Sequence, residues 1–171
     1  MTINTHGGGA NTNKYGLRFE QDTNLSEALV NAGYRVIGNF VYDSEGKIGL
    51  IASKHDLYRK LLEPKGVSWT KLISKKLLPD DALYVYKTNT VYIIEKKFQH
   101  SAGSVDEKLQ TCDFKKKQYM KLFSPLDSTV EYLYVCNDWF KRPEYRDVHQ
   151  YINSVGCHLF FNEIPVDFLE L

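Results

Sequence analysis

The sequence contains few cysteines, and none of them has a neighbour at the spacing of a metal-binding motif. Its three cysteines are Cys112, Cys136 and Cys157, and no CxxC pair occurs. A disulfide framework and a thiolate zinc site are therefore disfavoured. Cys136 lies in an apolar run and Cys157 beside one, which predicts buried free thiols.

The sequence also has no apolar run long enough to cross a bilayer. Its first residues lack the basic and apolar regions of a secretory signal peptide. We therefore expect an intracellular, cytoplasmic protein that works without a membrane.

Net charge is almost absent, at +1, so the overall balance does not indicate a nucleic-acid-binding protein. The distribution is more informative, because basic residues are concentrated in the ranges 54–76, 96–121 and 139–146. Such clusters can neutralise backbone phosphates, although solvated surfaces are the alternative. The basic candidates for DNA contact are Lys71, Lys75, Lys76, Lys115, Lys116, Lys141 and Arg142.

The rest of the composition is that of a globular protein. Apolar residues make up 43% and aromatic residues 13% of the 171 residues, which is enough for one domain with its own core. The polar, glycine-containing range 1–13 predicts a flexible N-terminal segment. Residues 14–171 then form a single domain.

Hydrophobic periodicity predicts helices and strands that alternate along the chain. An apolar stripe predicts a first helix over 13–32, ended by Gly33. The predicted strands cover 34–42, 47–53, 83–86, 91–99, 130–136 and 158–164, with hairpin turns at 43–46 and 87–90. The further helices cover 54–63, 104–123 and a segment from Pro143 to Gly156, and the second of these begins with a Ser104–Glu107 capping box. These elements predict an α/β (or α+β) domain with a central mixed β-sheet flanked by helices.

The strand over 91–99 carries charged side chains in an apolar setting. Because strand side chains alternate between faces, Glu95, Lys97 and Gln99 share one face and Ile94 lies on the other. Charges on such a strand are unusual unless they are paired or bind an ion. A surface hairpin in which Glu95 and Lys97 merely pair with each other is the structural alternative.

Hairpin register decides which aspartate joins this face. A turn of even length over 87–90 pairs Tyr86 with Val91. The same register pairs Ala82 with Glu95 and places Asp80 opposite Lys97. Asp81 then points away with Lys96, whereas a bulge would exchange the two aspartates.

Two carboxylates that converge within a few ångströms repel each other, and a hard divalent cation relieves that repulsion. Magnesium suits such a site, because it binds few protein oxygens together with waters and phosphate oxygens. The side chains of Asp80 and Glu95 would be its ligands. Lys97 could orient a water molecule or stabilise charge that grows on a phosphate.

These residues stand in a recognisable pattern. Pro79-Asp80, followed by Glu95-Lys96-Lys97, resembles the PD-(D/E)XK nuclease motif. The wider ranges 94–99 and 103–110 resemble type II restriction endonucleases, and 8–13 with 16–20 is similar to the start of some of those enzymes. The likeness covers the N-terminal third and the centre of the chain.

The resemblance implies a restriction-endonuclease-like core and a site for Mg²⁺, or for Mn²⁺ in its place. It implies that Asp80, Glu95 and the backbone carbonyl of Lys96 bind the metal, and that Lys97 is the catalytic lysine. It also matches Glu20 to an acidic helix residue that supports the metal site. Gln99 and Asp81 are supporting candidates.

The implied activity is hydrolysis of double-stranded DNA at a short recognition sequence, with a homodimer as the default assembly because two-fold symmetry supplies two active sites. A structure-selective nuclease, such as a junction resolvase or repair nickase, is an alternative with the same chemistry. A non-catalytic DNA-binding subunit is an alternative of another class. A glycosidase that uses the two carboxylates would give Lys97 no role.

Overall fold

The computed structural model describes the backbone of residues 8–101 and 105–171, and the side chains of residues 14–101 and 107–171. Within these ranges seven strands form one mixed sheet in the order β1 to β7. The strands are Arg35–Ile37 (β1), Phe40–Tyr42 (β2), Lys47–Ile51 (β3), Asp81–Val85 (β4), Thr90–Lys97 (β5), Thr129–Cys136 (β6) and His158–Phe161 (β7). Neighbours from β1 to β5 are antiparallel, whereas β5, β6 and β7 are parallel.

Helices lie on both faces of this sheet, which confirms the predicted α/β class with a mixed sheet between helices. The α-helices of the described residues are Gly8–Asp22 (α1), Leu25–Asn31 (α2), Val105–Lys108 (α3), Cys112–Phe123 (α4) and Arg146–Ser154 (α5). One core cluster joins α1 and α2 to side chains such as Leu83 and Ile94. The other joins α4, α5 and the π-helical turn Leu57–Leu62 to side chains such as Ile93 and Tyr132.

The first predicted helix is two helices, and the prediction of one continuous helix over 13–32 was wrong. The helix α1 starts at Gly8, which is possible because glycine costs a helix about 1 kcal/mol without forbidding it. Asn24 separates the helices, since its extended backbone (ψ 120°) leaves the helical region. Its side chain accepts a hydrogen bond from the Glu27 backbone N–H at 3.0 Å and caps α2. Residues 1–7 of the predicted flexible segment lie outside the described residues.

The predicted strand over 34–42 is also two elements. Residues Arg35–Ile37 and Phe40–Tyr42 pair with each other in antiparallel fashion, with Ile37 opposite Phe40. Gly38 and Asn39 form the two-residue turn, and Gly38 has a φ of +60° that suits glycine. The hairpin between β2 and β3, which sequence analysis placed at 43–46, is confirmed.

The β4–β5 hairpin forms as predicted, but its register differs from the predicted one by two residues. Val85 pairs with Thr90 and Ala82 pairs with Ile93, so the predicted pairs of Ala82 with Glu95 and Asp80 with Lys97 were wrong. The turn begins one residue earlier because Asn89 adopts a φ of +50°, a conformation that asparagine tolerates. A shift of two residues keeps every side chain on its face.

The predicted helix over 104–123 is interrupted. A 3-10 turn at Leu109–Thr111 separates α3 from α4. The predicted buried stripe is confirmed for Leu109, Cys112, Tyr119 and Phe123, which are at most 1% exposed. The Ser104 end of the capping box and the Val105 side chain lie outside the described residues.

The remaining predicted elements agree with the structure to within a few residues. The basic helix over 54–63 is the π-helical turn Leu57–Leu62 with a 3-10 turn, and left-handed Gly66 ends it. A 3-10 turn at Pro143–Tyr145 leads into α5. All three cysteines are buried and free, as predicted. Among the described residues, no helix combines the length and the apolar character needed to cross a membrane.

Candidate active site

The candidate site lies where the parallel strands β5, β6 and β7 end. In this part of the sheet Lys97 is opposite Cys136, and Cys136 is opposite Phe161. The carboxyl ends of parallel strands therefore meet at one edge, which is where open α/β sheets bind their ligands. Glu95 and Lys97 lie at the carboxyl end of β5, at that edge.

The ammonium group of Lys97 is surrounded by the oxygens that sequence analysis predicted to bind a metal. Its Nζ donates hydrogen bonds to Glu95 Oε2 at 2.9 Å and to the backbone carbonyl of Lys96 at 3.1 Å. It also lies 3.9 Å from Asp80 Oδ2. Two carboxylates and one carbonyl thus converge on a single cationic atom.

Asp80 is held in this position by the backbone of the neighbouring strand. The Lys96 backbone N–H donates to Asp80 Oδ2 at 2.8 Å. The Asp80 side chain is 41% exposed, so this carboxylate is accessible to a ligand from solvent. Lys54 N–H donates to the Pro79 carbonyl at 2.9 Å and anchors the chain just before the aspartate.

Asp81 points to the other face of the hairpin, as the alternation of strand side chains requires. Its Oδ2 is 2.6 Å from Lys96 Nζ, and its Oδ1 accepts a hydrogen bond from Ser53 Oγ at 2.7 Å. Lys96 therefore makes contacts on both faces of the hairpin. Its side chain forms an ion pair with Asp81, and its carbonyl accepts a hydrogen bond from Lys97. No bulge exchanges the two aspartates in the observed pairing of Asp81 with Ile94.

Glu95 is a buried carboxylate with two ammonium groups beside it. Its side chain is 8% exposed, and the Nζ atoms of Lys97 and Lys115 lie 2.9 and 3.4 Å from Oε2. A charge removed from water in this way needs such partners. Lys115 was predicted as one of the basic candidates for DNA contact, without a link to Glu95. The next residue, Lys116, turns away and donates to the Gly156 carbonyl at 2.6 Å.

Tyrosines form the floor beneath Glu95. Burial raises the pKa of the phenols of Tyr119, Tyr132 and Tyr134, and the nearby negative charge of Glu95 raises the pKa of each further. Burial likewise raises the pKa of the Cys136 thiol to about 12, against the opposing effect of the Lys97 ammonium. These groups remain protonated at neutral pH, so they do not supply a nucleophile.

Glu20 lies on the α1 side of the sheet rather than with Glu95 and Lys97. It lines an open cavity of about 410 Å³ together with Asp80, Asp81 and Lys96. Glu20 therefore reaches the neighbourhood of Asp80 from the opposite face. The resemblance alone placed Glu20 at the metal site, and the structure places it in the wall of a cavity that Asp80 also lines.

Gln99, which was predicted as the last residue of the strand over 91–99, lies two residues beyond β5 and is fixed to Asn137, the residue after β6. Its backbone N–H donates to Asn137 Oδ1 at 3.0 Å, and Asn137 Nδ2 donates to the Gln99 carbonyl at 2.8 Å. Gln99 is 5% exposed. Asn137 was missed by sequence reasoning, although a polar residue directly after an apolar strand is a usable signal. The exchange of hydrogen bonds holds the two strand ends of the site together.

The basic residues before the hairpin have different settings. Lys71 and Lys75 are exposed. Lys76 lies over the rings of Tyr58 and Trp69, at 4.6 and 5.1 Å from their centroids. Lys71 and Lys75 therefore remain available for phosphate contact, whereas Lys76 already has aromatic contacts.

Beyond β6, two further basic candidates contact side chains of their own loop. Lys141 forms an ion pair with Asp138 at 2.7 Å. The Arg142 guanidinium lies 4.1 Å from the centroid of the Trp139 ring. Both side chains are about half exposed, and Arg142 also pairs with Glu144 at 3.4 Å, so each of these two cations already has an acidic partner in its own loop.

The donor set suits magnesium better than zinc. Within residues 8–101 and 105–171 no group of three or more His, Cys, Asp or Glu side chains is placed to hold a metal ion. The oxygens around Lys97 Nζ are instead two carboxylates and a backbone carbonyl. Magnesium uses few protein oxygens and completes its shell with water and phosphate, whereas zinc sites use three or four side chains. The residues present therefore fit the predicted ion.

Comparison of the chain with family models, with curated proteins and with solved structures gave no match.

Proposed function

We propose that this protein is a magnesium-dependent DNA endonuclease with a site of the PD-(D/E)XK type, and that it acts as a type II restriction endonuclease. The observation that carries the proposal is the position of Lys97 Nζ among Glu95 Oε2, the Lys96 carbonyl and Asp80 Oδ2. A site that gathers these oxygens around one positive charge is suited to a divalent cation.

Asp80, Glu95 and the Lys96 carbonyl would hold the ion. Magnesium bound there would polarise a phosphodiester and lower the pKa of a bound water molecule, and Mn²⁺ could replace it. The hydrogen bond from the Lys96 N–H keeps Asp80 aimed at the site before any ligand arrives. The protein's contribution would thus be two carboxylates that are already held on either side of Lys97 Nζ.

Lys97 would supply a second positive charge, from the protein rather than from the ion. Its side chain is 13% exposed and its ammonium group lies beside both carboxylates, so it is placed to meet a phosphate oxygen that enters the same site. An ammonium in a site with little water stabilises negative charge on a phosphate more strongly than it would in bulk solvent. This role explains why a lysine stands on an otherwise buried strand.

The arrangement of secondary structure supports the finer fold assignment. Antiparallel strands β3, β4 and β5 are followed by α4 and then by β6, which is parallel to β5. This order agrees with the restriction-endonuclease-like core that the sequence resemblance implies. Double-stranded DNA would approach the carboxyl edge, and a homodimer would place one such site on each strand.

Digestion of a long DNA of known sequence tests the proposal. The protein is incubated with the DNA and Mg²⁺, with and without EDTA, and the product ends are mapped. We expect discrete fragments that share a short sequence at their ends and that disappear in EDTA. Cleavage confined to branched DNA would instead identify a structure-selective nuclease. Absence of any cleavage with Mg²⁺ or Mn²⁺, despite DNA binding, would identify a non-catalytic subunit.

The variant Lys97→Ala separates catalysis from binding. We expect it to bind DNA while its cleavage rate falls at least about 100-fold, a loss typical of removing one group that stabilises transition-state charge. Lys117→Ala is the matched control, because Lys117 is 66% exposed and paired with Asp113 on the solvent side of α4. Equal cleavage by wild type and Lys97→Ala would refute the assigned role.

A further inference from the structure

We infer that Lys115 is a second phosphate-binding residue of the site, supplied by α4 and directed at a phosphodiester oxygen of the bound DNA. This inference rests on the proposed function and adds to it a residue from outside the hairpin motif. Neither the strand alternation nor the motif spacing points to Lys115, since the helix that carries it follows β5 by many residues.

The geometry of Lys115 is that of a loosely held cation at the mouth of the site. Its Nζ lies 3.4 Å from Glu95 Oε2, whereas Lys97 Nζ lies 2.9 Å from the same oxygen. The Lys115 side chain is 28% exposed and that of Lys97 is 13% exposed. Lys97 is therefore the tight partner of Glu95, and Lys115 stands between this carboxylate and the solvent.

Three consecutive lysines of α4 point in three directions, because each residue of a helix is rotated by about 100° from the last. Lys115 reaches Glu95, Lys116 reaches Glu131 at 3.5 Å, and Lys117 pairs with Asp113 at 2.8 Å. The lysine run is thus not one solvated patch. Only the first of the three faces the candidate site.

No Asp or Glu stands three or four positions from Lys115, the spacing at which side chains of one helix meet. The residues three and four positions away are Thr111, Cys112, Gln118 and Tyr119, none of which is a carboxylate. Within the described part of the chain its ion pair is with Glu95. Lys115 can therefore turn to a phosphate oxygen while Lys97, at 2.9 Å, keeps the buried Glu95 paired.

The charges of the site explain why a second ammonium is useful. Asp80 and Glu95 carry two negative charges, and Lys97 and Lys115 carry two positive charges. A phosphate that approaches the two carboxylates is repelled unless cations stand beside it. Lys97 alone cannot balance both carboxylates, so the ammonium group of Lys115 brings the formal charge of these four side chains to zero and removes the net repulsion of a phosphate.

Salt dependence of DNA binding in EDTA tests this inference without relying on turnover. Fluorescence anisotropy of a labelled duplex is measured between 50 and 200 mM salt for wild type, Lys115→Gln, Lys115→Arg and Lys117→Gln. Each lost phosphate contact lowers the slope of log K against log salt by about 0.9, so over this range the affinity of Lys115→Gln falls about 3.5-fold less than that of wild type. We expect Lys115→Arg to restore the slope and Lys117→Gln to keep the wild-type value.

The outcomes separate this inference from the proposed function. Wild-type cleavage together with an unchanged slope in Lys115→Gln overturns the role of Lys115 and leaves the nuclease proposal standing. A lower melting temperature in Lys115→Gln together with an unchanged slope also overturns the inference. It would show that Lys115 stabilises the folded protein by pairing with Glu95 and does not contact phosphate. A wild-type protein that neither binds nor cuts DNA overturns both.

Discussion

Replacement of Lys97 by methionine should destabilise the protein in EDTA and make its stability more dependent on Mg²⁺. Methionine keeps a long apolar stem but removes the ammonium, so Glu95 at 8% exposure loses its tight partner. Removing one partner of a buried ion pair lowers the free energy of unfolding by about 3–5 kcal/mol. Lys115 remains 3.4 Å from Glu95 and Asp80 is 41% exposed, so we expect a smaller loss, of about 2 kcal/mol.

The assay is thermal and urea denaturation with EDTA or with Mg²⁺. A loss of about 2 kcal/mol lowers the melting temperature by about 4–8 °C for a chain of this length. Magnesium should raise the stability of Lys97→Met more than that of wild type. In wild type the Lys97 ammonium group already contacts the oxygens that would bind the ion, so the two cations compete for them. At one hundred times its dissociation constant the ion would add about 2.7 kcal/mol.

Two controls sharpen this experiment. The double variant Glu95→Gln, Lys97→Met should be more stable in EDTA than Lys97→Met, since it leaves no unpaired buried charge. Lys117→Met should behave like wild type, because Lys117 lies on the solvent side of α4. The reasoning fails if Lys97→Met is as stable as wild type in EDTA and gains no more from Mg²⁺.

Three further outcomes are expected. Asp80→Asn should lower DNA cleavage at least about 100-fold, while Asp81→Asn should cleave nearly as wild type; equal losses in single-turnover assays would contradict the separation of the two faces. Burial raises the folded-state pKa of Tyr119, Tyr132 and Tyr134 above the unfolded value of 10.0, so their contribution to stability is complete below pH 10 and is lost as pH rises beyond it. Each phenol should then reduce the unfolding free energy by about 1.4 kcal/mol per pH unit above 10. Absorbance at 295 nm should rise gradually as the exposed tyrosines ionise and rise again as the chain unfolds; complete ionisation of all tyrosines in the native protein would contradict the burial of these three. Asn24→Ala should lower the unfolding free energy by about 1 kcal/mol through loss of the α2 cap, and unchanged urea denaturation would show that the cap contributes nothing.

Side-chain alternation along β5 was enough to predict which groups share the site. It separated Glu95 and Lys97 from Lys96, and the same rule separated Asp80 from Asp81 even though the predicted register was two residues away from the observed one. The error was harmless because the period of a strand is two. The sheet face on which a side chain lies is therefore predicted more securely than the residue that it pairs with on the neighbouring strand.

The element boundaries that were missed had local causes that the periodicity of apolar residues does not report. Asn24 caps α2, Gly38 turns the β1–β2 hairpin and Asn89 adopts a positive φ in the β4–β5 turn. The first two positions carried a readable signal, an N-cap residue with Glu27 three residues later and a glycine–asparagine turn. Asn89 is different, because its side chain is fixed by distant groups, including the Ser128 hydroxyl at 2.8 Å.

The contacts that complete the site join elements that are far apart in the chain. Lys115 meets Glu95 across 20 residues, and Asn137 meets Gln99 across 38. Such pairs depend on how α4 and β6 pack against β5, which no spacing within a single segment encodes. Glu20 illustrates the same limit, since only the packing of α1 shows that it approaches Asp80 from the other face of the sheet.

The most direct measurement is the single-turnover rate of phosphodiester cleavage by wild type and by Glu95→Gln, on the same DNA, with saturating Mg²⁺. Glutamine preserves the shape of the buried side chain and removes the charge that Lys97 and Lys115 neutralise. We predict rapid cleavage by wild type and a rate at least about 100-fold lower in the variant. Equal rates for the two proteins would contradict the central claim that Glu95 belongs to the catalytic site.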